Sequence, residues 1–419
     1  MKKRIAFVTV RYGLDINGGA EFHCRMLAER LAGDCQVEVL TTCVKDYTKG
    51  GNEYPPGTGI VNGVTVRRFR TEPFDRSASD YWARKAKPAR RLRMFLYNIG
   101  LLHPLSYIIR TWRWKLDEDI EYQKHSIFYS EEMVKYIASS KDSYDAFIAI
   151  TSDFAPFYFT AMEAGEKTIA IPTMHYAKVS FRASLSQAFS RIRYVGFNTT
   201  AEQKLARRIF GPGVRHSSII SVGIEVPQPA DWEQIRRDFS LPDRYILYIG
   251  RVDRCKTGDM IEYYTAYRKK YGDRALPLVV IGNIFRKEED AEGVMYTGFV
   301  SDAQKRAILQ HAELLLNPSK YESLSLVLLE ALNDRVPVLV NGHCNVLREH
   351  CRKSGGAILY YTGKHSLIKG LGRIVSDQAL RASMQERGKE YMEKNYSWDL
   401  IMPRLYKAID EVTGETTGK

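Results

Sequence analysis

Residues 223–251 read "GIEVPQPADWEQIRRDFSLPDRYILYIGR", and the fold turns on how this stretch is taken. Its first ten residues, 223–232, hold two prolines and no apolar period, and they follow the strand-like "SIISV" (218–222). That is the composition of an interdomain linker. Its end, "RYILYIGR", is a short apolar string of the kind that forms a buried parallel strand. One series of strands therefore closes near residue 225 and another opens after it. A chain of 419 residues is also too long for one ordinary core.

Working outward, the same kind of string recurs on both sides. "RIAFVTV" (4–10), "VEVLTT" (37–42), "AFIAIT" (146–151) and "TIAIPTM" (168–174) precede the boundary. "LPLVVIG" (276–282), "ELLLNP" (313–318) and "VPVLVN" (336–341) follow it. Helical patterns lie between them, as in "AEFHCRMLAERLA", where Ala20, Cys24, Leu27 and Leu31 recur at helical spacing. Strand-helix alternation predicts parallel α/β sheets covered on both faces. One hairpin is expected at Asn62-Gly63 in "IVNGVTVRRF". The expected architecture is α/β, with two doubly wound Rossmann-like domains at 1–225 and 226–396 facing across a cleft. The last stretch, 397–419, is expected to return to the first domain.

Composition narrows the partners. The net charge of +13 favours anions: nucleotides, lipid headgroups or nucleic acid. Nothing in the chain resembles a base-reading helix, so no nucleic acid partner is expected. No segment has 18 consecutive apolar residues. "MKKRIAFVTV" reads as a first strand rather than a signal peptide. The six cysteines form no C-x-x-C pair, which fits a reduced, cytoplasmic setting and no zinc site. Residues 74–136 lack strand signals, and 83–115, "ARKAKPARRLRMFLYNIGLLHPLSYIIRTWRWK", hold nine Lys or Arg and no acid. This basic, aromatic insertion reads as an interfacial membrane element, and a pair of helices covering the first sheet is the plainer reading. "KVSFRASLSQAFSRIRY" (178–194) is a further basic candidate for meeting lipid phosphate.

Candidate chemistry gathers at strand ends. Gly18 and Gly19 precede the first helix, where backbone N–H groups can approach an anion. Gly250 ends a strand, and Arg251 and Lys256 follow it, two cations suited to a diphosphate. His175 and Asp153 end first-domain strands. In "SKYESLSLVLLEALNDRVPVLV" (319–340), Glu322 and Glu330 bracket an oily run. On one unbroken helix they would stand about 12 Å apart along the axis, poor geometry for gripping one atom. A helix starting near Leu324 or Ser325 instead leaves Glu322 in a loop and puts Glu330 in the second turn. The amides of Ser323, Leu324, Ser325 and Leu326 then form a free helix N-terminus. A sugar at Glu322, phosphates at the amides and a ribose at Glu330 would fit one ligand.

Taken together, Gly250-Arg251 with Lys256, Glu322 and Glu330 spaced by seven, Pro337-Val338, "GGAE" (18–21) and His175 resemble the retaining glycosyltransferases of family 4 (glycosyl transferases group 1). So does "SWDLIMPRLYKAI", and the resemblance spans nearly the whole chain outside 74–136. It implies a GT-B fold and a hexosyltransferase that takes a nucleotide sugar, UDP-linked or GDP-linked, without a metal. Arg251 and Lys256 would neutralise the departing diphosphate. Glu322 would contact the sugar and Glu330 the ribose. His175 would lie by the sugar and acceptor path, and Gly18 and Gly19 by donor phosphate or acceptor. Phe299 in "YTGFVS" (296–301) would line the base. The acceptor implied is a membrane-associated glycan or lipid-linked sugar in cell-surface polysaccharide, lipopolysaccharide O-antigen or glycolipid synthesis. The enzyme would sit peripherally on the inner face of the plasma membrane. A sugar-nucleotide epimerase of the same architecture is the alternative, and a nucleic-acid binder a more distant one. Three departures stand out: Ser323 and Ser325 replace glycines common in the family, and Arg335 stands where a glycine commonly ends the helix. A left-handed Arg335 would cost about 1 kcal/mol.

Overall fold

The structure, a computed structural model, describes residues 2–48, 50–225, 227–284 and 291–414, with Cys255 by its backbone alone. Val226 of the expected linker and residues 415–419 of the expected C-terminal stretch lie outside them. The chain divides into two units, Met1–Val222 with Asp399–Lys419, and Gly223–Trp398.

In the first unit eight strands form one sheet. They are β1 (Arg4–Val8), β2 (Gln36–Thr42), β3 (Gly57–Val61), β4 (Val64–Phe69), β5 (Ala146–Ile150), β6 (Thr168–Ile171), β7 (Tyr194–Phe197) and β8 (His216–Ile219). Their order is β3-β4-β2-β1-β5-β6-β7-β8. The β3–β4 pair is antiparallel, turning at Asn62 and Gly63 with φ of 46° and 79°. Left-handed angles at both turn residues are what a two-residue hairpin needs, and Asn-Gly supplies them at low cost. The other pairs are parallel. The chain runs outward from β1 on one side and resumes with β5 on the other, so the crevice for ligands lies at the carboxyl ends of β1 and β5.

The helices of this unit are α1 (Gly19–Leu31), α2 (Arg76–Asn98), α3 (Leu102–Ile108), α4 (Leu116–Lys124), α5 (Glu131–Ser140), α6 (Ala155–Ala164), α7 (Ala183–Arg191) and α8 (Thr200–Phe210). The expected insertion is thus helical, with α2 to α4 inside it. Arg93 of α2 donates to the carbonyl of Phe181 at 3.0 Å, and Asp119 of α4 accepts from the Ser184 hydroxyl at 2.6 Å. The inner faces of the inserted helices therefore close over α7. The 178–194 stretch is divided: Arg182 is inside the unit, while Lys178 and Arg191 are exposed and Arg193 is half-buried. Ser180 to Ser186 are buried, and Arg182 lies 3.6 Å from Asp119 under the Tyr122 ring, so its charge is engaged inside the unit.

Six further strands form the second sheet: β9 (Ile246–Ile249), β10 (Leu278–Ile281), β11 (Val294–Gly298), β12 (Leu314–Asn317), β13 (Val338–Asn341) and β14 (Ile358–Tyr361). They pair in parallel in the order β11-β10-β9-β12-β13-β14. Here the order reverses between β9 and β12. The second unit holds α9 (Trp232–Asp238), α10 (Arg254–Thr257), α11 (Met260–Tyr271), α12 (Asp302–Gln310), α13 (Leu326–Asn333), α14 (Asn345–Lys353), α15 (Lys364–Ser376) and α16 (Gln378–Tyr396). The last helix, α17 (Trp398–Thr413), buries Ile401, Leu405, Ala408 and Ile409. It is tied to the first unit by Asp410 to Lys3 at 2.5 Å and Glu411 to His216 at 2.7 Å.

Candidate active site

The carboxyl ends of β9 and β12 are the switch point of the second sheet, and the segments that leave them hold Gly250, Arg251, Lys256 and Glu322, with Ser323 to Ser325 after it. After β9, Gly250 has φ 155°. A Cβ on Gly282 would stand 2.0 Å from the Gly250 carbonyl oxygen, so the ends of β9 and β10 touch backbone to backbone. Arg251 projects half-exposed from this turn, its Nε 3.6 Å from Asp253 Oδ2. Asp253 Oδ1 accepts from the amide of Lys256 at 3.0 Å, which fixes the start of α10. Lys256 Nζ donates to Glu322 Oε1 at 2.8 Å and to the Tyr321 carbonyl at 3.1 Å. The expected cation and the expected sugar carboxylate are therefore one ion pair.

The loop after β12 is held from below. Asn317 donates through Nδ2 to the Ser325 hydroxyl at 3.0 Å, and its Oδ1 accepts from the Ser319 amide at 3.1 Å. Asn341, at the end of β13, donates to the Pro318 carbonyl at 2.9 Å. Buried His350 on α14 lies 2.9 Å from the Leu324 carbonyl and 2.9 Å from the Tyr391 hydroxyl. A carbonyl only accepts, so Nε2 donates to Leu324; burial keeps the ring neutral, with a pKa lowered to about 4, so Nδ1 accepts from Tyr391.

Helix α13 begins at Leu326, one to two residues later than expected. Its N-cap, Ser325, has φ 77° and lies in the left-handed region where the family's glycine would be at ease. Among the described residues the amides of Leu324, Ser325, Leu326 and Val327 meet no acceptor, the arrangement of an open helix N-terminus. Arg335, just past the helix, has φ 58°, so the left-handed ending is real.

Glu330 lies in the second turn of α13, 5% exposed. Its Oε1 accepts from Lys305 Nζ at 3.0 Å, and its Oε2 is buried without a hydrogen-bond partner. Burial pushes the Glu330 carboxyl above its ordinary pKa, and the Lys305 charge pulls it back. Lys305 also lies 3.1 Å from Asp302 Oδ1. Burial works to lower the Lys305 pKa, yet the two carboxylates outweigh it and the lysine stays charged. Sequence reasoning missed Lys305. The signal was available: positions 305, 308 and 309 share a helix face, Ile308 and Leu309 are core, and a lysine on that face needs a buried partner. Phe299 stands exposed between β11 and α12, six residues before Lys305. Glu322 and Glu330 thus engage different lysines rather than one shared partner.

In the first unit, Gly18 (φ 157°) caps α1. A Cβ there would fall 2.1 Å from Glu21 Oε2, because the Glu21 carboxylate folds back over the helix start and accepts from Arg11 Nε at 2.9 Å. Glycine at 18 therefore makes room for Glu21; Gly19 opens the helix, exposed. His175 follows β6 and Asp153 follows β5. Burial pushes the Asp153 carboxyl up, and the charges of His175 and Arg182 oppose it, so the three groups share one neighbourhood. Both strand ends are bent by left-handed residues, Thr151 (φ 70°) and Thr173 (φ 51°). A second missed residue holds this region: buried Glu202 accepts from the amides of Met174 at 2.5 Å and Asn198 at 2.7 Å. Burial pushes its pKa up to about 8.

Residues 232–391 match the family model "Glycosyl transferases group 1". An uncharacterized glycosyltransferase of Methanocaldococcus jannaschii is 27% identical over 44% of this chain and 51% of its own length. A Campylobacter jejuni N-acetylgalactosaminyltransferase acting on a diphospho-undecaprenol-linked sugar is 26% identical over 36% of this chain and 43% of its own. The chain spans about half or less of the length of such curated relatives. The structure of HepE from Anabaena with UDP and glucose superposes with a TM-score of 0.66 at 14% identity, covering 97% of this chain and 99% of that one. The two sheets are those of the GT-B fold, and the unit that carries Arg251, Lys256, Glu322 and Glu330 is the part of the chain that matches the glycosyl transferases group 1 model.

Proposed function

We propose that the protein is a retaining glycosyltransferase that moves a hexose from a nucleoside-diphosphate sugar to a hydroxyl of a glycan or lipid-linked acceptor. The observation that carries this reading is the Lys256–Glu322 ion pair at the strand-order reversal, beside an open helix N-terminus and the unpaired Oε2 of Glu330. The diphosphate is assigned to Arg251, Lys256 and the amides of Ser323 to Leu326, so that protein cations rather than a metal offset its charge. One ribose hydroxyl donates to Glu330 Oε2 and satisfies it. Phe299 is assigned to the base. The UDP in HepE favours a uridine donor, with GDP as the other outcome.

In this reading the acceptor hydroxyl attacks the anomeric carbon from the side the diphosphate leaves. The bond from sugar to diphosphate breaks, and the acceptor proton passes to the leaving phosphate oxygen. Glu322, freed as Lys256 turns to the diphosphate, places negative charge beside the oxocarbenium-like carbon. His175 is assigned to the sugar and acceptor path, with Gly18 and Gly19 on the acceptor side. The undecaprenol-linked substrate of the Campylobacter relative supports a lipid-linked acceptor, and with it a peripheral membrane location.

A thermal-shift screen against a panel of sugar nucleotides tests the donor assignment, since a ligand that binds the folded state raises its stability by mass action. One nucleotide series should stabilise the protein; a flat response to every member would remove the donor-site reading. Conversion of the donor to another sugar nucleotide without acceptor would instead indicate an epimerase.

A further inference from the structure

Helix α2 turns one face into its unit and leaves an apolar face outside it. Ser79, Ala86, Ala89 and Arg93 are buried and turn inward. On the opposite side Tyr81 is 44% exposed, Leu92 38%, Phe95 57% and Ile99 50%. At 100° per residue, positions 81, 85, 88, 92, 95 and 99 fall within about 80° of one another, so these side chains form a single outward stripe. Exposed Arg84, Lys87 and Arg91 lie along one flank of it, about 60–120° round from its centre. The inner face packs through small side chains and Arg93, so the apolar side chains of α2 bounded by cations stand on the face turned away from the unit.

Exposed apolar side chains recur along the chain after the helix. The end of α3 and the segment after it leave Ile108 82% exposed and Trp114 48% exposed, among Arg110 and Arg113. Nine of the seventeen exposed large apolar side chains of the described residues fall between Tyr81 and Trp114. Residues 83–115 have nine Lys or Arg and no acid. A mixture of aromatic and aliphatic side chains with cations at their edge matches the boundary between acyl chains and anionic headgroups.

We infer that the outward stripe of α2, with the Ile108–Trp114 segment, docks the protein on an anionic lipid bilayer. This deepens the reading of a lipid-linked acceptor. The docking face contains no residue assigned to donor binding, so the two readings fail separately.

The test is sedimentation of the full chain with vesicles of phosphatidylcholine alone and of phosphatidylcholine mixed with phosphatidylglycerol, without donor. The anionic vesicles should bind the protein roughly tenfold better than the neutral ones, and high salt should weaken that binding strongly. Phe95→Ser with Ile108→Ser changes exposed side chains and should lower vesicle binding about tenfold while the donor thermal shift persists. Arg84→Gln, Lys87→Gln and Arg91→Gln together should abolish the preference for anionic vesicles. The inference is overturned if anionic vesicles do not bind, if binding ignores salt, or if both variant sets bind as the parent does. It is equally overturned if the stripe proves to join two copies, seen as a dimer that Phe95→Ser dissociates with no vesicle binding by the parent.

Discussion

Lys256 Nζ on α10 and Glu322 Oε1 in the loop after β12 stand 2.8 Å apart, 66 residues distant in sequence. The pair is partly exposed, so its contribution to stability is small, about 0–1 kcal/mol. Its proposed value is chemical. Glu322→Gln should lower kcat by about 10²–10³ while nucleotide affinity changes little, because the lost charge matters when the sugar becomes cationic. Lys256→Ala should also lower kcat, and the double variant should fall short of the product of the two effects, since each single change already breaks the pair. Steady-state kinetics with separate nucleotide titrations check both. Unchanged turnover in Glu322→Gln would remove Glu322 from its role.

Lys305 gives a different signature. It holds Glu330 Oε1 in a nearly buried pair. Removing one partner of a buried pair leaves an uncompensated charge and costs about 3 kcal/mol or more. Lys305→Met should therefore lower denaturation midpoints, and Glu330→Gln added to it should recover much of the loss. Without the lysine, burial pushes the Glu330 carboxyl further up, so donor affinity should weaken as pH falls. The expected enzymatic effect is a donor KM raised about tenfold with kcat retained. A kcat defect with normal KM would place Lys305 elsewhere in the cycle.

Much of this site was legible in the sequence because its residues sit where local signals are strong. Gly250-Arg251 ends an apolar strand, and Glu322 and Glu330 flank a run of leucines, so position relative to a strand end was enough. What was not legible depends on faces and edges. β7 is four residues with Gly196 at a point where a Cβ would fall 2.3 Å from Ile220, and β11 and β14 are half-exposed edge strands, so none of the three gives a long apolar run. Lys305 and Glu202 matter through partners 25 and 28 residues away in the chain, Glu330 and Met174. The face of α12 calls for a partner to Lys305, but no pattern in the intervening residues names Glu330 or Met174. In 178–194 charge alone does not say which face of a helix is covered: Arg182 is buried, while Lys178 and Arg191 are exposed.

Arg335 tests the backbone account. Its φ of 58° strains a residue with a Cβ by about 1–2 kcal/mol. Its ion pair with Glu386 is exposed and contributes little. Glycine removes the strain and returns part of the gain through a more flexible unfolded chain. Arg335→Gly should therefore be neutral or stabilising by up to about 1 kcal/mol in chemical denaturation. Ser325→Gly relieves a similar angle but forfeits the bond from Asn317, so it should gain less. A clear loss of stability in Arg335→Gly would show that the left-handed ending does not limit this unit.

The last prediction concerns acid. Buried His350 has a pKa lowered to about 4 from an ordinary 6.5, chiefly by burial. Between those values the unfolded chain takes up a proton that the folded chain refuses. The stability that His350 supports is present above pH 6.5 and is lost as pH falls toward 4, at up to about 1.4 kcal/mol per pH unit. In the first unit His23, also lowered to about 4, acts the same way, while Glu202, raised to about 8, acts oppositely: its contribution falls as pH rises from 4.5 to 8. Raised Asp153 adds to Glu202 in the first unit, and among the described residues raised Glu330 alone opposes His350 in the second. Acidification from pH 7 to 5 should therefore loosen the second unit more than the first. Hydrogen exchange resolved by segment checks this, with the amides of α13 and α14 losing protection first. Because the His350 ring holds the Leu324 carbonyl, nucleotide binding should weaken over the same pH range. His350→Phe should lower stability at pH 7 and flatten its slope on acidification, and a parent protein whose α13 protection is flat from pH 7 to 5 would refute the assignment.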